Sequence, residues 1–279
     1  MRHHIEKLVR AALDEDAPWG DISSQTFIPS AASVQAQLVA REPGVFSGSL
    51  LIDASFHLLD PTIDVSLSVG DGEKFSAGDV LGTITGNARA ILQGERIALN
   101  FCQRMSGIAT LTSTYVAEVA GTKARIVDTR KTTPGLRLVE RQAVRDGGGF
   151  NHRTTLSDAV MLKDNHLAII EASGQSITDA LTTLKATLPH TTRVEVEVDR
   201  IEQIEPILAA GVDTIMLDNF TIEELIEGVE LIGGRAIVEA SGGVNLNTVA
   251  KIAATGVDVI SVGALTHSVR ALDLGLDIT

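Results

Sequence analysis

The sequence predicts an α/β protein: an incomplete α/β barrel of about six strands, preceded by an N-terminal α+β sandwich domain. In the second half of the chain, apolar strand-like runs begin near Val194, Ile215, Ile237 and Val259, and successive starts are 21 or 22 residues apart. The stretches between them have helical spacing and end in glycine, the residue that most often follows a helix C-terminus. Strands and helices that alternate at this interval are typical of parallel βα units.

Two earlier segments extend this series of strands. The runs ARIVD at 124–128 and DAVMLK at 158–163 are short and apolar, and they bring the number of predicted strands to six. Because a complete βα barrel has eight strands, a set of six favours an incomplete barrel.

The N-terminal third of the chain has a different pattern. Strand-like segments at 34–41, 63–69 and 79–86 surround a helix-like segment at 49–59, as expected for an α+β domain. The glycine-rich segment 69–84 is similar to the hairpin region of biotinyl and lipoyl carrier domains. It lacks the lysine beside a methionine that such carriers modify, so we expect a structural β-hairpin.

A long helical pattern from Ala88 to Ala120 leads into the barrel, and we expect a break near Gly107. We therefore predict an N-terminal domain at 1–107 and a catalytic barrel at 108–267. The C-terminal tail, 268–279, is expected to pack with the N-terminal domain.

Composition limits the classes of protein to which the chain can belong. Of its 279 residues 44% are hydrophobic, which excludes a disordered chain, and charged residues interrupt every long apolar run. Apolar residues at the N-terminus have helical spacing, and this segment has no apolar signal core, so we expect a cytoplasmic protein that is not inserted in a membrane. Cys102 is the single cysteine, and its apolar helical surroundings predict a buried structural thiol. The net charge of −13 argues against a nucleic-acid partner.

The basic residues are concentrated in one segment. Residues 125–163 hold eight lysines and arginines and four acidic residues, so this basic island has a charge of +4 and the rest of the chain −17. An acidic protein with a basic island indicates a small anionic ligand. Arg141 and Arg145 lie on a helical stretch of the island, where a solvated face or ion pairing is the better interpretation.

Polar residues or glycines follow all six predicted strands. Ligand sites in parallel βα folds lie at the carboxyl ends of the strands, so this arrangement predicts an active site there. The residues in question are Asp128 to Lys131, Lys163 to His166, the acids of VEVEVD, Asp218 with Asn219, Ser241 to Gly243, and Gly263.

The segment VEVEVD places its acids on one side of a strand, because side chains alternate. We expect Glu195, Glu197 and Asp199 to face the barrel axis. Glu195 either pairs with arginines of the basic island or contacts a ligand. For Glu197 we favour contact with a ligand or metal, and Asp218 on the next strand can share Mg²⁺ or two sugar hydroxyls with it.

The last two strand ends resemble phosphate sites. Glycines in SGG and VGAL allow the backbone to approach a phosphate, and the following helix starts supply N–H donors. The cations at other strand ends, or in the loop beside the glycines at 147–149, indicate a ligand with at least two carboxylates, or with a carboxylate and a pyrophosphate. These cations are Arg130, Lys131, His152, Arg153 and Lys163.

An ordered set of motifs resembles the quinolinate phosphoribosyltransferase family, whose members make a pyridine nucleotide for NAD biosynthesis. The resemblance covers nearly the whole chain. Its motifs are GDIS (20–23), GERIALNF (94–101), DTRKTTPGLR (128–137), GGGFNHR (147–153), KDNH (163–166), VEVEVD (194–199), LDNF (217–220), ASGG (240–243) and VGALTHS (262–268). The sequence departs from the family at Arg141, where lysine is usual, and at Gln142, where an aromatic residue is common.

The resemblance implies a role for each matching residue. It assigns the quinolinate carboxylates to five cationic side chains: Arg96, contributed by a partner chain, and Arg130, His152, Arg153 and Lys163. The donor, phosphoribosyl pyrophosphate, is expected to meet Lys131 at its pyrophosphate and Glu197 and Asp218 at its ribose and Mg²⁺. Its 5′-phosphate is expected at Ser241, Gly242, Gly243 and Gly263, near His267, and Thr129 is included among the substrate-binding residues. Lys131, Lys163, Glu197 and Asp218 are the expected catalytic residues.

The resemblance also implies the fold, the assembly and the reaction. Family members are dimers or larger homo-oligomers with shared active sites, and they convert quinolinate to nicotinate mononucleotide with release of pyrophosphate and CO₂. Three alternatives stay open: a relative with another acceptor, such as the molybdenum-transport-associated type, a barrel lyase that forms a Schiff base on Lys163, and a non-catalytic sensor of phosphorylated sugars.

Overall fold

The computed structural model describes residues 2–279, which form two compact units. The first unit holds the chain up to Ser113 together with Thr132–Gly148 and Leu265–Thr279. The second unit holds Thr114–Lys131 and Gly149–Ala264. Part of the basic island, including Arg141 and Arg145, therefore belongs to the first unit.

The first unit is built on a four-stranded antiparallel sheet. The strand order is β12-β1-β5-β3, so the C-terminal tail forms an edge strand beside β1. Helices α3 and α4 bury Phe56 and Ile91 in the same core, and Cys102 of α4 is fully buried there. Burial raises the pKa of the Cys102 thiol to about 12, which confirms the expected structural cysteine. The elements are α1 (Arg2–Asp16), α2 (Ile22–Phe27), β1 (Ser33–Ala40), β2 (Gly44–Val45), α3 (Ser49–His57), β3 (Asp64–Leu67), β4 (Lys74–Phe75), β5 (Val80–Asn87), α4 (Ala88–Glu118), which ends in the second unit, α5 (Arg137–Asp146), α11 (Ala264–His267) and β12 (Leu274–Ile278).

The predicted hairpin at 69–84 is wrong. Strand β4 pairs with β2 in a separate two-stranded sheet, whereas β5 pairs with β1 and β3. The turn between β4 and β5 explains the split, because Gly78 donates to the carbonyl of Ala40 and Asp79 accepts from the Ala40 N–H. These bonds attach the start of β5 to β1 and leave β4 to pair elsewhere.

The expected break in α4 is also wrong, since the helix is continuous from Ala88 to Glu118. Gly107 instead allows the C-terminal segment to pack closely against the helix. A Cβ at this position would overlap the backbone carbonyl of Arg270, so the C-terminal segment lies directly against the helix. Glycine inside a helix costs about 1 kcal/mol relative to alanine, and here it makes room for a crossing chain.

The second unit is a six-stranded parallel sheet, which confirms the predicted incomplete barrel. Its strand order is β6-β11-β10-β9-β8-β7, with β6 and β7 at the two edges. The observed strands begin at Val194, Thr214, Ile237 and Val259, within one residue of the predicted starts. The elements are β6 (Arg125–Val127), β7 (Val160–Leu162), α6 (Asp164–Ala172), α7 (Ile177–Thr187), β8 (Val194–Val198), α8 (Ile204–Ala209), β9 (Thr214–Asp218), α9 (Ile222–Ile232), β10 (Ile237–Ser241), α10 (Val249–Ala254) and β11 (Val259–Ser261), with a short 3₁₀ turn at Ile201–Gln203.

Helix α9 illustrates how the sequence sets an element. Thr221 and Glu224 form a reciprocal capping box at its start, and Gly233 ends it in the left-handed conformation with φ 55°. Among residues 2–279, no helix has the length and apolar character needed to cross a membrane.

An ion pair holds the C-terminal segment in the first unit. The guanidinium of Arg270 donates to both carboxylate oxygens of Glu42, at 2.7 and 2.5 Å, and the backbone N–H of Asp273 donates to Oε1 at 2.7 Å. Arg270 and this N–H lower the pKa of Glu42 to about 2. The Glu42 carboxylate therefore stabilises the folded chain only while it is ionised.

We predict that Glu42→Gln lowers the free energy of unfolding at pH 7 by up to about 1 kcal/mol, the usual limit for an exposed ion pair. Because folding depresses this pKa, the contribution is present above pH 4.5 and is lost as the pH falls through about 2. Urea unfolding of both proteins from pH 7 to pH 3 measures the difference. A difference that stays constant over this range would contradict the prediction.

Candidate active site

One cavity of about 370 Å³ lies at the carboxyl ends of the strands in the second unit. Nine of its twelve lining residues were predicted as site residues. They are Thr129, Arg130, Lys131, His152, Arg153, Lys163, Glu197, Asp218 and Ser241. The positions at the strand ends therefore converge as the parallel fold requires.

Five predicted site residues are not among those that line this cavity. Gly242 and Gly243 follow Ser241 directly, and Gly263 follows β11 at the same end of the sheet. Arg96 is an exposed residue of α4 in the first unit, and His267 is an exposed residue of α11 in the same unit. The structure of a single chain thus does not bring Arg96 and His267 into the lining.

Sequence reasoning missed three lining residues: Met161, Met216 and Ser261. Each lies two positions before a predicted site residue, namely Lys163, Asp218 or Gly263. Side chains two apart on a strand share a face, so extending the alternation backwards from each strand end would have found them. Asp199 was expected on this face, but β8 ends at Val198, and Asp199 is exposed beside Arg200.

Two arginines give the cavity its attraction for anions. Burial and the positive charge of Arg130 together lower the pKa of Arg153, so the two guanidinium groups repel each other in the cavity that both residues line. The Arg153 guanidinium is oriented by donating to the Ala159 carbonyl at 3.1 Å. An anion between the two groups relieves this repulsion, and a planar carboxylate fits the fork of each.

Asp128 is a structural brace for the loop that carries two of these cations. It is fully buried, and it accepts from the side chain of Asn151 at 2.6 Å and from the backbone N–H of His152 at 2.8 Å. The brace ties the end of β6 to the loop that bears His152 and Arg153. A buried carboxylate needs such partners to offset its desolvation.

His152 lies between two buried carboxylates. Its Nε2 is 3.2 Å from Glu195 and 3.5 Å from Glu239, and these acids are 8% and 3% exposed. Glu195 therefore pairs with His152 of the basic island, and its negative charge also acts on Arg153. We call Glu195, His152 and Glu239 the buried triad.

The proton state of the buried triad follows from its contacts. Burial by itself lowers the pKa of His152, but the two carboxylates outweigh it and raise the pKa to about 10. The backbone nitrogen of Arg153 lies 2.7 Å from Nδ1, which leaves Nε2 facing the two carboxylates. Burial raises the pKa of Glu239, and the neighbouring charge of Glu195 raises it further.

On the other side of the cavity, Lys163 and Glu197 form an ion pair, with Nζ donating to Oε2. Lys163 follows β7 and stands at the N-terminus of α6, while Glu197 lies on the neighbouring strand β8. Asp218 ends β9, and its Oδ2 accepts from the side chain of Asn219 at 2.8 Å. Two acids and one ammonium thus meet on three adjacent strands.

The turn Ser241-Gly242-Gly243 has the backbone of an anion site. Gly242 and Gly243 have φ values of 87° and 61°, which side chains other than glycine rarely adopt. A Cβ on Gly242 would also overlap the side chain of Asn219. Successive N–H groups in such a turn are suited to a phosphate.

The comparisons with known proteins agree with this geometry. The family model of the quinolinate phosphoribosyl transferase N-terminal domain matches residues 21–106, and that of the C-terminal domain matches 108–277. The chain belongs to the quinolinate phosphoribosyltransferase family. This confirms the family to which the motifs pointed.

Curated relatives in the quinolinate phosphoribosyltransferase family align over almost the full chain. The probable nicotinate-nucleotide pyrophosphorylase (carboxylating) of Bacillus subtilis is 41% identical, and the alignment covers 100% of this chain and 95% of the relative. The corresponding Mycobacterium leprae protein is 44% identical, with 97% and 95% covered. Among solved structures, NadC from Streptococcus pyogenes has a TM-score of 0.95 at 39% identity and covers 100% of this chain and 98% of that one.

The donor atoms at Glu197 and Asp218 fit Mg²⁺. Mg²⁺ prefers oxygen ligands and is usually held by one or two protein carboxylates together with substrate phosphates. Glu197 and Asp218 supply two carboxylates at one edge of the cavity, on the neighbouring strands β8 and β9. The buried triad also brings three potential ligand atoms within 4.8 Å of one another.

We predict that His152→Ala lowers the free energy of unfolding at pH 7 by about 3 kcal/mol, because two buried carboxylates lose the proton donor between them. Adding Glu239→Gln restores part of the loss, since the amide is uncharged and can donate to Glu195. Lowering the pH also reduces the loss, because burial raises the pKa of Glu239 and the acid takes up a proton.

Urea unfolding of the single and double variants measures these effects, with His190→Ala as the control at an exposed histidine of the same unit. The control is expected to unfold as the wild type does. A double variant no more stable than His152→Ala would show that carboxylate repulsion is not the cause.

Proposed function

We propose that the chain is a decarboxylating quinolinate phosphoribosyltransferase of NAD biosynthesis. The reaction joins quinolinate to phosphoribosyl pyrophosphate and yields nicotinate mononucleotide, pyrophosphate and CO₂. One observation carries the proposal: a single cavity combines the paired guanidinium groups of Arg130 and Arg153 with the carboxylates of Glu197 and Asp218. Such a cavity is suited to an acceptor with two carboxylates beside a donor with sugar hydroxyls. Membership of the family supports the same reaction.

The cations account for binding of the acceptor. Quinolinate carries carboxylates on neighbouring ring carbons, so it can bridge two guanidinium groups that otherwise repel each other. Lys163 adds a third positive charge, held in place by Glu197. Water leaves the cavity as the acceptor binds, which strengthens each of these charge pairs.

The acids account for transfer of the sugar. The pyridine nitrogen forms a bond to the anomeric carbon while the bond from that carbon to the pyrophosphate oxygen breaks, and pyrophosphate leaves with the electron pair. The sugar carries positive charge in the transition state, and the carboxylates of Glu197 and Asp218 stabilise it. Lys131 faces the departing pyrophosphate, and the turn at Ser241–Gly243 with Gly263 binds the 5′-phosphate.

Loss of CO₂ follows from the charge of the new pyridinium ring. The bond between C2 and its carboxylate breaks, the electron pair stays on C2 next to the cationic nitrogen, and C2 takes a proton from water. Arg130 and Arg153 hold the remaining carboxylate and the ring in position during this step. Bound Mg²⁺, held by Glu197 and Asp218, would neutralise charge on the pyrophosphate.

The ion pair of Lys163 argues against the Schiff-base lyase. A Schiff base needs an uncharged amine as nucleophile. In this cavity Nζ already donates to Glu197, and the uncharged amine would give up that charge pair. The relative with another acceptor differs only in the ligand between the arginines, so it is tested by changing the acceptor.

We further propose a homodimer or larger homo-oligomer with shared sites in the cytoplasm. Three large apolar side chains near the N-terminus, Trp19, Ile22 and Phe27, are 90%, 77% and 81% exposed in the single chain. Exposed apolar residues that lie within nine positions of the sequence are a feature expected of a protein interface. Arg96, exposed on α4, is then free to serve the site of a partner chain. The single, buried cysteine is compatible with a reducing compartment.

We predict turnover with quinolinate and almost none with nicotinate, because the second carboxylate has its own cation. Purified protein is incubated with phosphoribosyl pyrophosphate, Mg²⁺ and one acceptor, and nicotinate mononucleotide and CO₂ are measured. Omitting the acceptor provides the blank. Equal rates with both acceptors would rule out specificity for quinolinate, and a borohydride-trapped adduct on Lys163 would establish the lyase instead.

We predict that inactive Arg96→Ala and Lys163→Ala chains recover activity when they are mixed. A mixed dimer contains one intact site, and half of randomly formed dimers are mixed, so about a quarter of wild-type activity returns. Each variant refolded alone is the control. Verified mixed dimers without recovered activity would show that Arg96 does not act across the interface.

A further inference from the structure

Asn219 has an unusual backbone conformation beside the candidate catalytic acid. Its φ is 60°, and within residues 2–279 it is the single residue other than glycine with a positive φ. Asparagine tolerates the left-handed region better than most residues because its short polar side chain can bond locally. Such a conformation persists where surrounding contacts hold it in place, and it is common at functional sites.

Three contacts hold Asn219 in this conformation. Its side-chain amide donates to Asp218 Oδ2 at 2.8 Å, and its backbone N–H donates to the carbonyl of Ser241 at 2.9 Å. Its Oδ1 occupies the space where a Cβ of Gly242 would be. Asn219 therefore touches both the acid that ends β9 and the phosphate-type turn that follows β10.

The residue types at these positions require one another. Gly242 must lack a side chain because the side chain of Asn219 fills the space that a Cβ would occupy. Residue 219 needs a hydrogen-bond donor in its side chain because its partner, the Asp218 carboxylate, is an acceptor. Aspartate at 219 would tolerate the backbone but would place a second negative charge against Asp218. Glycine at 219 would adopt the positive φ without strain but would lack the amide that donates to Asp218. Alanine would also lack the amide, and its Cβ would strain the backbone at this φ.

We propose that Asn219 is a positioning residue for the phosphoribosyl donor: it fixes the carboxylate of Asp218 relative to the turn Ser241–Gly243. The inference rests on the proposed function, which places the ribose at Asp218 and the 5′-phosphate at this turn. The distance between those two groups is set by the sugar itself. A site that binds both the ribose and the 5′-phosphate needs Asp218 and the turn Ser241–Gly243 at a constant separation. Asn219 forms a hydrogen bond to each of them.

The expected defect is confined to the donor. Without the amide, the Asp218 carboxylate rotates and must be ordered again whenever phosphoribosyl pyrophosphate binds. The proposed acceptor contacts are at Arg130, which follows β6, and at Arg153, in the loop before β7, and they do not involve Asn219. The KM for the donor therefore rises while the KM for quinolinate changes little.

Three variants separate the donor bond from the backbone conformation. Asn219→Asp and Asn219→Gly keep the positive φ but lose the hydrogen bond to Asp218. Asn219→Ala loses the same hydrogen bond and also strains the backbone. We expect the donor KM to rise about tenfold in Asn219→Gly, the factor for loss of one hydrogen bond to a charged group, and further in Asn219→Asp. The melting temperature should fall mainly in Asn219→Ala.

Gly233→Ala is the matched control for backbone strain. Gly233 has a φ of 55° at the end of α9 and does not line the cavity. This control should lower the melting temperature and leave the donor KM at the wild-type value. A donor KM that rises equally in Gly233→Ala would reduce the effect to general destabilisation and overturn the proposal.

Calorimetric titration with phosphoribosyl pyrophosphate and Mg²⁺, without acceptor, separates this inference from the proposed reaction. If the wild type binds the donor but does not turn over quinolinate, the proposed function fails and the affinities of the variants still test Asn219. If Asn219→Gly and Asn219→Asp bind the donor as the wild type does, the positioning role is wrong. A wild type that does not bind the donor overturns both.

Discussion

The parallel pairing of β8, β9 and β10 is the constraint on which the site depends. Ser241 pairs with Asp218, and Glu197 pairs with Met216, so the ends of three strands stay level at one edge of the sheet. Side chains alternate between faces, and a slip by one residue would turn Glu197 and Asp218 away from the cavity. The hydrophobic valines of β8, all buried, hold this register because a slipped strand would bury charges in their place.

Charge in the site is balanced within small groups of residues. Glu197 pairs with Lys163, Glu195 and Glu239 flank His152, and Asp128 accepts a hydrogen bond from the loop that carries Arg153. Net charge is therefore a poor guide to function in this chain. The overall value of −13 gives no sign that five basic side chains line one cavity; they are Arg130, Lys131, His152, Arg153 and Lys163.

Much of this fold could be predicted from the sequence because the regular repeats carry strong signals. Periodic apolar runs placed the starts of β8, β9, β10 and β11 within one residue. The strand ends selected seven of the nine predicted cavity residues, and the loop beside the glycines at 147–149 supplied His152 and Arg153. The failures have a common cause. The pairing of β4, the continuity of α4 at Gly107 and the partners of Glu195 depend on contacts with residues distant in sequence, which local pattern does not contain. Arg96 and His267 came from resemblance alone, and a single chain does not bring them to the cavity.

The pairing of β12 with β1 has a consequence for how the chain folds. Ala36 of β1 pairs with Ile278, so two strands that lie far apart in the sequence must meet before the sheet of the first unit is complete. Until they meet, β1 presents unpaired backbone groups along one side, the kind of edge at which chains aggregate. Such distant contacts also slow folding. Protection of β1 from aggregation therefore depends on a contact that forms slowly.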